Sequence, residues 1–230
     1  AVARAAMSSG VARKNIENFD IYSEQLKQRL DPSVTIMQGI NSKIKKNKKR
    51  VVFADGEDEN TLKAAIAFKN SNLGTPIIVA KEKVVKERLK EIGYGENFDI
   101  EIVNSTKKDK REKYVNFLFK KLQREEGLLE RDCDRMVRND RVIWGSCMVA
   151  CGDADAMVTG NIRHYAASIE KLKRVTDPRP GEEIFGMTMI TLKGKTILVA
   201  DTNVQDFPSP ERLVKVSKSC VRVARLFGFD

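Results

Sequence analysis

Histidine is almost missing from this chain: among 230 residues only His164 is one. The four cysteines, Cys133, Cys147, Cys151 and Cys220, include no Cys-x-x-Cys pair. Zinc and most transition-metal centres need imidazoles or closely spaced thiolates, so no metal site is expected. Unpaired cysteines fit a reduced, cytoplasmic protein. No apolar run approaches the roughly 18 residues of a membrane span, and the opening Ala1 to Ala6 has no apolar signal-peptide core. Association with a membrane is therefore not expected. Neither Gly-x-Gly-x-x-Gly nor a Walker lysine motif occurs, which disfavours a dinucleotide fold with its usual fingerprint. A Ser-His-Asp or Cys-His arrangement is not suggested either.

Charge is present in excess, with a formal net charge of +10. Lys43, Lys45, Lys46, Lys48, Lys49 and Arg50 crowd one short stretch, while elsewhere both signs mix along helix faces. There is no zinc-finger spacing, RNP-like aromatic motif or basic recognition helix. The stretch reads as a solvated linker, and nucleic acid is not an expected partner.

What the chain does have is periodic apolar texture, 41% hydrophobic overall. Residues 1–9 read as an alanine-rich helix capped by Gly10. Residues 11–41 read as a connector, with one short helix over 20–30 stopped by Asp31-Pro32. Continuous apolar runs at 51–54, 76–80 and 98–103 alternate with amphipathic helices at 60–70, 81–92 and 107–126. That order predicts a parallel sheet covered on both faces. Helices over 128–137 and 141–151 follow, the second carrying a stripe of Trp144, Cys147, Met148 and Cys151 suited to core packing. Ala156-Met157-Val158 is a strand and 165–174 a helix. Residues 187–192 and 196–200 form a hairpin through 193–195. Ser209-Pro210-Glu211 opens a last helix with Leu213, Val216, Cys220 and Val223 inward.

In open α/β sheets ligands bind beyond the carboxyl ends of the strands. Asp55-Gly56, Thr159-Gly160-Asn161 and Asp201-Thr202-Asn203 collect there. Two of these strands echo each other, since Val52 to Asp55 and Leu198 to Asp201 both close in Ala-Asp. A hydroxyl and a glycine let a ligand approach the backbone, and the helix that follows favours an anion. Arg163 adds positive charge, so a phosphate or phosphorylated cofactor would suit the loop. His164 is either a general base or a half-exposed loop residue. Asp153 and Asp155 precede their strand and belong to the opposite edge.

The segments Val51 to Asp58 (VVFADGED), Gly152 to Gly160 (GDADAMVTG) and Val199 to Leu213 (VADTNVQDFPSPERL) resemble the phosphate acetyltransferase (phosphotransacetylase) family. The likeness is to the phosphotransacetylase-like domain fused behind the malic domain of hybrid bacterial malic enzymes, and it covers about Arg50 to Asp230. Ala1 to Ile16 is similar to the end of that malic domain. The resemblance implies a three-layer αβα parallel-sheet fold of two subdomains with a cleft, usually in a homo-oligomer. It implies four segments: residues 1–16 ending a malic domain, a connector and basic linker over 17–50, subdomain 1 over 51–151 and subdomain 2 over 152–230. The start reads as the interior of a longer chain, and the end stops where another strand would follow, so truncation is expected.

The ligand implied is acetyl-CoA or CoA, with Thr159, Gly160, Asn161, Arg163, His164, Tyr165, Asp201, Thr202 and Asn203 as candidate contacts. NADP or NAD and Mg or Mn belong to the upstream malic domain. Family enzymes move an acetyl group between CoA and phosphate with a carboxylate base and anion-binding arginines. Where they carry a His-Ser-Thr-Ala-Asp type loop, this chain has Arg163-His164-Tyr165-Ala166-Ala167. A Leu-Arg pair of the family becomes Leu122-Gln123, and the family's Asp-Leu-Ser-Arg-Gly segment lies beyond Asp230. No residue here is assigned as catalytic. The resemblance thus implies a degenerate domain that binds acetyl-CoA to regulate an attached malic enzyme and supports its oligomer. A residual phosphate acetyltransferase and an inactive remnant are the alternatives.

Overall fold

Strands whose residues are apolar on both sides need cover on both sides, and the architecture follows from that. The computed structural model describes residues 2–19, 21–23, 26, 32–95, 99–106, 108, 110–192, 195–201 and 204–229. The chain divides into two units, residues 41–184 and residues 1–40 with 185–230, each with its own sheet.

The larger unit is built on β1 (Lys49–Phe53), β2 (Gly74–Val79), β3 (Glu101–Val103) and β4 (Ala156–Val158), all parallel in the order β3-β2-β1-β4. Phe53, Ile78 and Ala80 pack on one side with α3 (Glu59–Asn70) and α4 (Glu82–Glu91), through Leu62, Ala65, Ile66, Val85 and Leu89. Val52, Ile77 and Val79 pack on the other with α5 (Arg111–Glu125), α6 (Glu130–Asn139) and α7 (Arg141–Ala150). This is the three-layer αβα arrangement with a parallel sheet. The largest fully buried side chains, Trp144 and Tyr114, meet edge to face at 5.0 Å. In the stripe predicted for α7, Trp144, Cys147 and Met148 are fully buried, and Cys151 is partly so. α8 (Tyr165–Val175) lies beside α7, and its last residue, Val175, is buried in the same cluster.

The amino edge of the sheet is tied by carboxylates. Asp155 accepts from the Arg50 N–H at 2.8 Å and from Lys49 at 3.1 Å. Asp153 accepts from the Tyr114 hydroxyl at 2.8 Å and Lys113 at 2.9 Å. Both therefore lie away from the carboxyl ends of the strands, and both have structural partners.

The smaller unit holds the antiparallel pair β5 (Met187–Leu192) and β6 (Lys195–Ala200), with α9 (Pro210–Phe227) against β6. Ser209 caps α9, accepting from the Arg212 N–H at 3.3 Å, with Pro210 in the first turn. α1 (Val2–Ser8) ends at Gly10, whose φ of +74° makes the expected left-handed cap.

Some details add to the expectations or differ from them. Within the expected connector, residues 32–46 form a helix that was not expected, α2 (Pro32–Lys46), and Pro32 starts it, its missing N–H costing nothing at a first-turn position. The lysines of the basic stretch are solvent-exposed, as expected, and most of the stretch has regular structure. Lys43, Lys45 and Lys46 close α2, where cations complement the helix dipole, and Lys49 and Arg50 belong to β1. β4 pairs with β1 across residue 152, and the compact unit that holds both strands runs over residues 41–184. Leu213 is half exposed, whereas Val216 is buried. The helix expected over 20–30 lies largely outside the described residues, as do Phe98, Lys193 and Gly194 of the expected strand and turn. No helix among the described residues is long and apolar enough to cross a membrane.

Candidate functional site

β1 runs into the core and stops at a carboxylate: Asp55 is only 1% exposed. Burying a charge there requires compensation, and the loop after β4 supplies it. Asp55 Oδ2 accepts from Gly160 N at 2.9 Å, Asn161 N at 3.3 Å and the Thr159 hydroxyl at 3.4 Å. Its Oδ1 accepts from Arg163 Nε at 3.3 Å. Parallel pairing of β1 with β4 makes this possible, because it brings both strand ends to the same edge.

Two glycines shape the edge. Gly160 adopts φ +105°, a conformation that side chains resist, with open space around it. Gly56 is needed for close approach: a Cβ there would sit 2.3 Å from Ile78 Cγ2 and 2.9 Å from the Val79 carbonyl oxygen.

Further polar contacts involve Asp58, Glu57 and Asp140. Asp58 caps α3 by accepting from Thr61 N, and it also accepts from the Asn161 side-chain amide at 2.6 Å. Glu57 pairs with Arg141, and Asp140 pairs with Lys171 at 2.5 Å. Partial burial pushes the Glu57 carboxyl up, but Arg141 and the Lys81 N–H outweigh it and hold the group below its ordinary 4.5. The Thr61 N–H, aided by Asn161, holds Asp58 below its ordinary 3.8 against a smaller burial effect. Groups lowered on folding stabilise the native state above their unfolded values, and that stability is lost as pH falls through the folded ones. Urea midpoints should therefore hold steady from pH 7 to about 5 and fall below about pH 4. A midpoint that rises on acidification would contradict this sign.

The predicted residues separate. Thr159, Gly160, Asn161 and Arg163 converge on Asp55. His164 is the N-cap residue of α8 but makes no side-chain cap bond, and it is exposed along with Tyr165, Ala166 and Ala167. Asp201 belongs to the smaller unit, where it is held at φ +54°. Its N–H donates to the Gly186 carbonyl at 2.7 Å, and its carboxylate accepts from Gly186 N at 3.4 Å and Arg212 at 3.3 Å. Thr202 and Asn203 lie outside the described residues. The Ala-Asp echo is thus structural: Asp55 is buried, Asp201 is partly buried with its side chain turned from solvent, and each meets an arginine. Sequence reasoning noticed Asp55 but missed its hold on the 159–163 loop, more than 100 residues away. It also missed Arg141 and Asp58. The signals that pointed to Asp55 were its place at the end of an apolar strand and the Ala-Asp echo. Among the described residues no group of three or more His, Cys, Asp or Glu could hold a metal ion.

The family model described as phosphate acetyl/butaryl transferase matches residues 35–230. The chain belongs to that family. As a phosphate acetyl/butaryl transferase family member it also has the matching fold. A phosphotransacetylase from Streptococcus pyogenes superposes with a TM-score of 0.77 at 24% identity, covering 85% of this chain and 59% of that one. The NADP-dependent malic enzyme of Rhizobium meliloti (strain 1021) is 39% identical over 230 residues, which is 100% of this chain and 30% of that protein. The phosphate acetyltransferase of Nitratidesulfovibrio vulgaris is 28% identical over 190 residues, 82% of this chain and 26% of that protein. The chain spans less than a third of the length of the malic enzymes it matches, and corresponds to their C-terminal part.

Proposed function

We propose that this chain is the phosphotransacetylase-like part of a larger cytoplasmic malic enzyme, binding acetyl-CoA as a regulator and supporting a homo-oligomer. The parent reaction is oxidative decarboxylation of malate to pyruvate with NADP or NAD. The upstream malic domain would hold that nucleotide and Mg or Mn.

The observation that carries the ligand reading is the 159–163 loop, an arginine and a close-approach glycine pinned at the carboxyl edge of a parallel sheet. Similarity to malic enzymes along the whole chain supports the parent activity. Degeneracy is supported by the first turn of α8, where Ala167 offers no proton acceptor. Allostery requires acetyl-CoA to bind two states of the protein differently. Acetyl-CoA is therefore expected to change malate oxidation by the full-length protein, with no phosphate-dependent release of CoA above a heat-killed control. Unchanged malate oxidation would end the regulatory reading. Phosphate-dependent release of CoA would favour a residual acetyltransferase.

A further inference from the structure

Asp55 does more than satisfy a loop. Its Oδ2 gathers two backbone N–H groups and a hydroxyl, and its Oδ1 takes Arg163 through Nε. A guanidinium has five N–H donors. Engagement through Nε leaves the two Nη groups without a protein partner among the described residues, on a side chain 29% exposed. Neighbouring Asn161 and Ile162 are exposed, so without the carboxylate Arg163 would swing from a surface loop. Asp55 ties it to the end of a buried strand and removes much of the side-chain entropy that anion binding would otherwise cost. Arg163 is the loop's only arginine, and its fork geometry suits phosphate oxygens.

We propose that Asp55 is a positioning residue for an anion site: it fixes Arg163 by Nε so that both Nη groups meet a phosphate group. This rests on the acetyl-CoA reading above for the source of that phosphate, which is either the coenzyme's own or free phosphate.

The test uses the full-length protein. CoA binding is measured by calorimetry for the wild type, Asp55→Asn, Arg163→Ala, Arg163→Lys and the Asp55→Asn/Arg163→Ala double variant. Asparagine keeps the shape and one acceptor, and thermal melting checks that each variant is folded. Each single change should weaken CoA about tenfold, the range of one charge-assisted hydrogen bond. The double variant should be no weaker than Arg163→Ala, and lysine, lacking the fork, should not rescue. Competition by inorganic phosphate would assign a free-phosphate subsite, and lack of it the coenzyme's phosphates; both support the positioning role. Additive losses, or unaltered CoA binding by Asp55→Asn, would overturn it, because a purely structural residue does not act through Arg163. If the wild type binds no CoA, the acetyl-CoA reading fails by itself. The positioning role is then judged by inorganic phosphate, which should raise the melting temperature of the wild type and of neither single variant. No such rise in the wild type would overturn it.

Discussion

Replacing Trp144 by alanine is expected to cost about 3–5 kcal/mol, a large share of the stability of an ordinary domain. Trp144 is 1% exposed and stands edge-on to Tyr114, at an interplanar angle of 84°, in the cluster that joins α5, α6 and α7 to the sheet. Its removal leaves a cavity that rigid strands on one side and two helices on the other cannot close. The indole Nε1 is buried with no hydrogen-bond partner among the described residues. Phenylalanine deletes that polar group and keeps an aromatic ring, so Trp144→Phe should cost only about 1–2 kcal/mol. Urea unfolding followed by circular dichroism is the right readout, because Trp144 is the chain's one tryptophan and its fluorescence leaves with it. Equal losses for both variants would show that the ring is not what packs there.

The second large effect is expected for Asp55→Ala, about 3 kcal/mol. The change strands Gly160 N, Asn161 N, the Thr159 hydroxyl and Arg163 Nε at once. Some donors will find water, since Gly160 and Asn161 are exposed, which keeps the figure below the sum of single losses. Loss of the carboxylate should also release the 159–163 loop, so amide hydrogen exchange at Gly160 and Asn161 should quicken more than in β1. Uniform acceleration across the unit would mean global destabilisation with no special hold on the loop. Asp58 grips the same loop through Asn161, so Asn161→Ala should add to the loosening at smaller cost.

The parallel sheet was legible because its strands announce themselves. The runs Val51-Val52-Phe53-Ala54 and Pro76-Ile77-Ile78-Val79-Ala80 have no polar alternation, and only strands covered on both faces read that way. The Ser-Pro-Glu start of α9 and the Gly10 cap of α1 were equally local, because capping chemistry lies within a few residues. The helix that Pro32 opens is less legible, for the same reason. A proline stops one helix and starts another with the same backbone restriction, and only the residues that follow decide which. Leu213 was placed inward by spacing alone, but a short two-stranded sheet leaves most of a long helix uncovered.

Of the candidate site, the sequence by itself determined which residue types stand at the strand ends: an aspartate after β1, a Thr-Gly turn after β4 and an Arg-His-Tyr run beyond it. Composition and periodicity likewise determined an α/β chain whose inner strands, β1 and β2, are covered on both faces, although the edge strand β4 leaves Val158 half exposed. Only the tertiary structure decided what those residues do to one another. Register in a parallel ladder is set by crossover helices and core packing, so no local pattern says that Asp55 meets Gly160 and Arg163 while Asp153 and Asp155 are drawn to Tyr114, Lys49 and Arg50. Charge pairing across that distance in sequence is a property of the packed sheet. It is what turns a polar loop into a site with an arginine held in place.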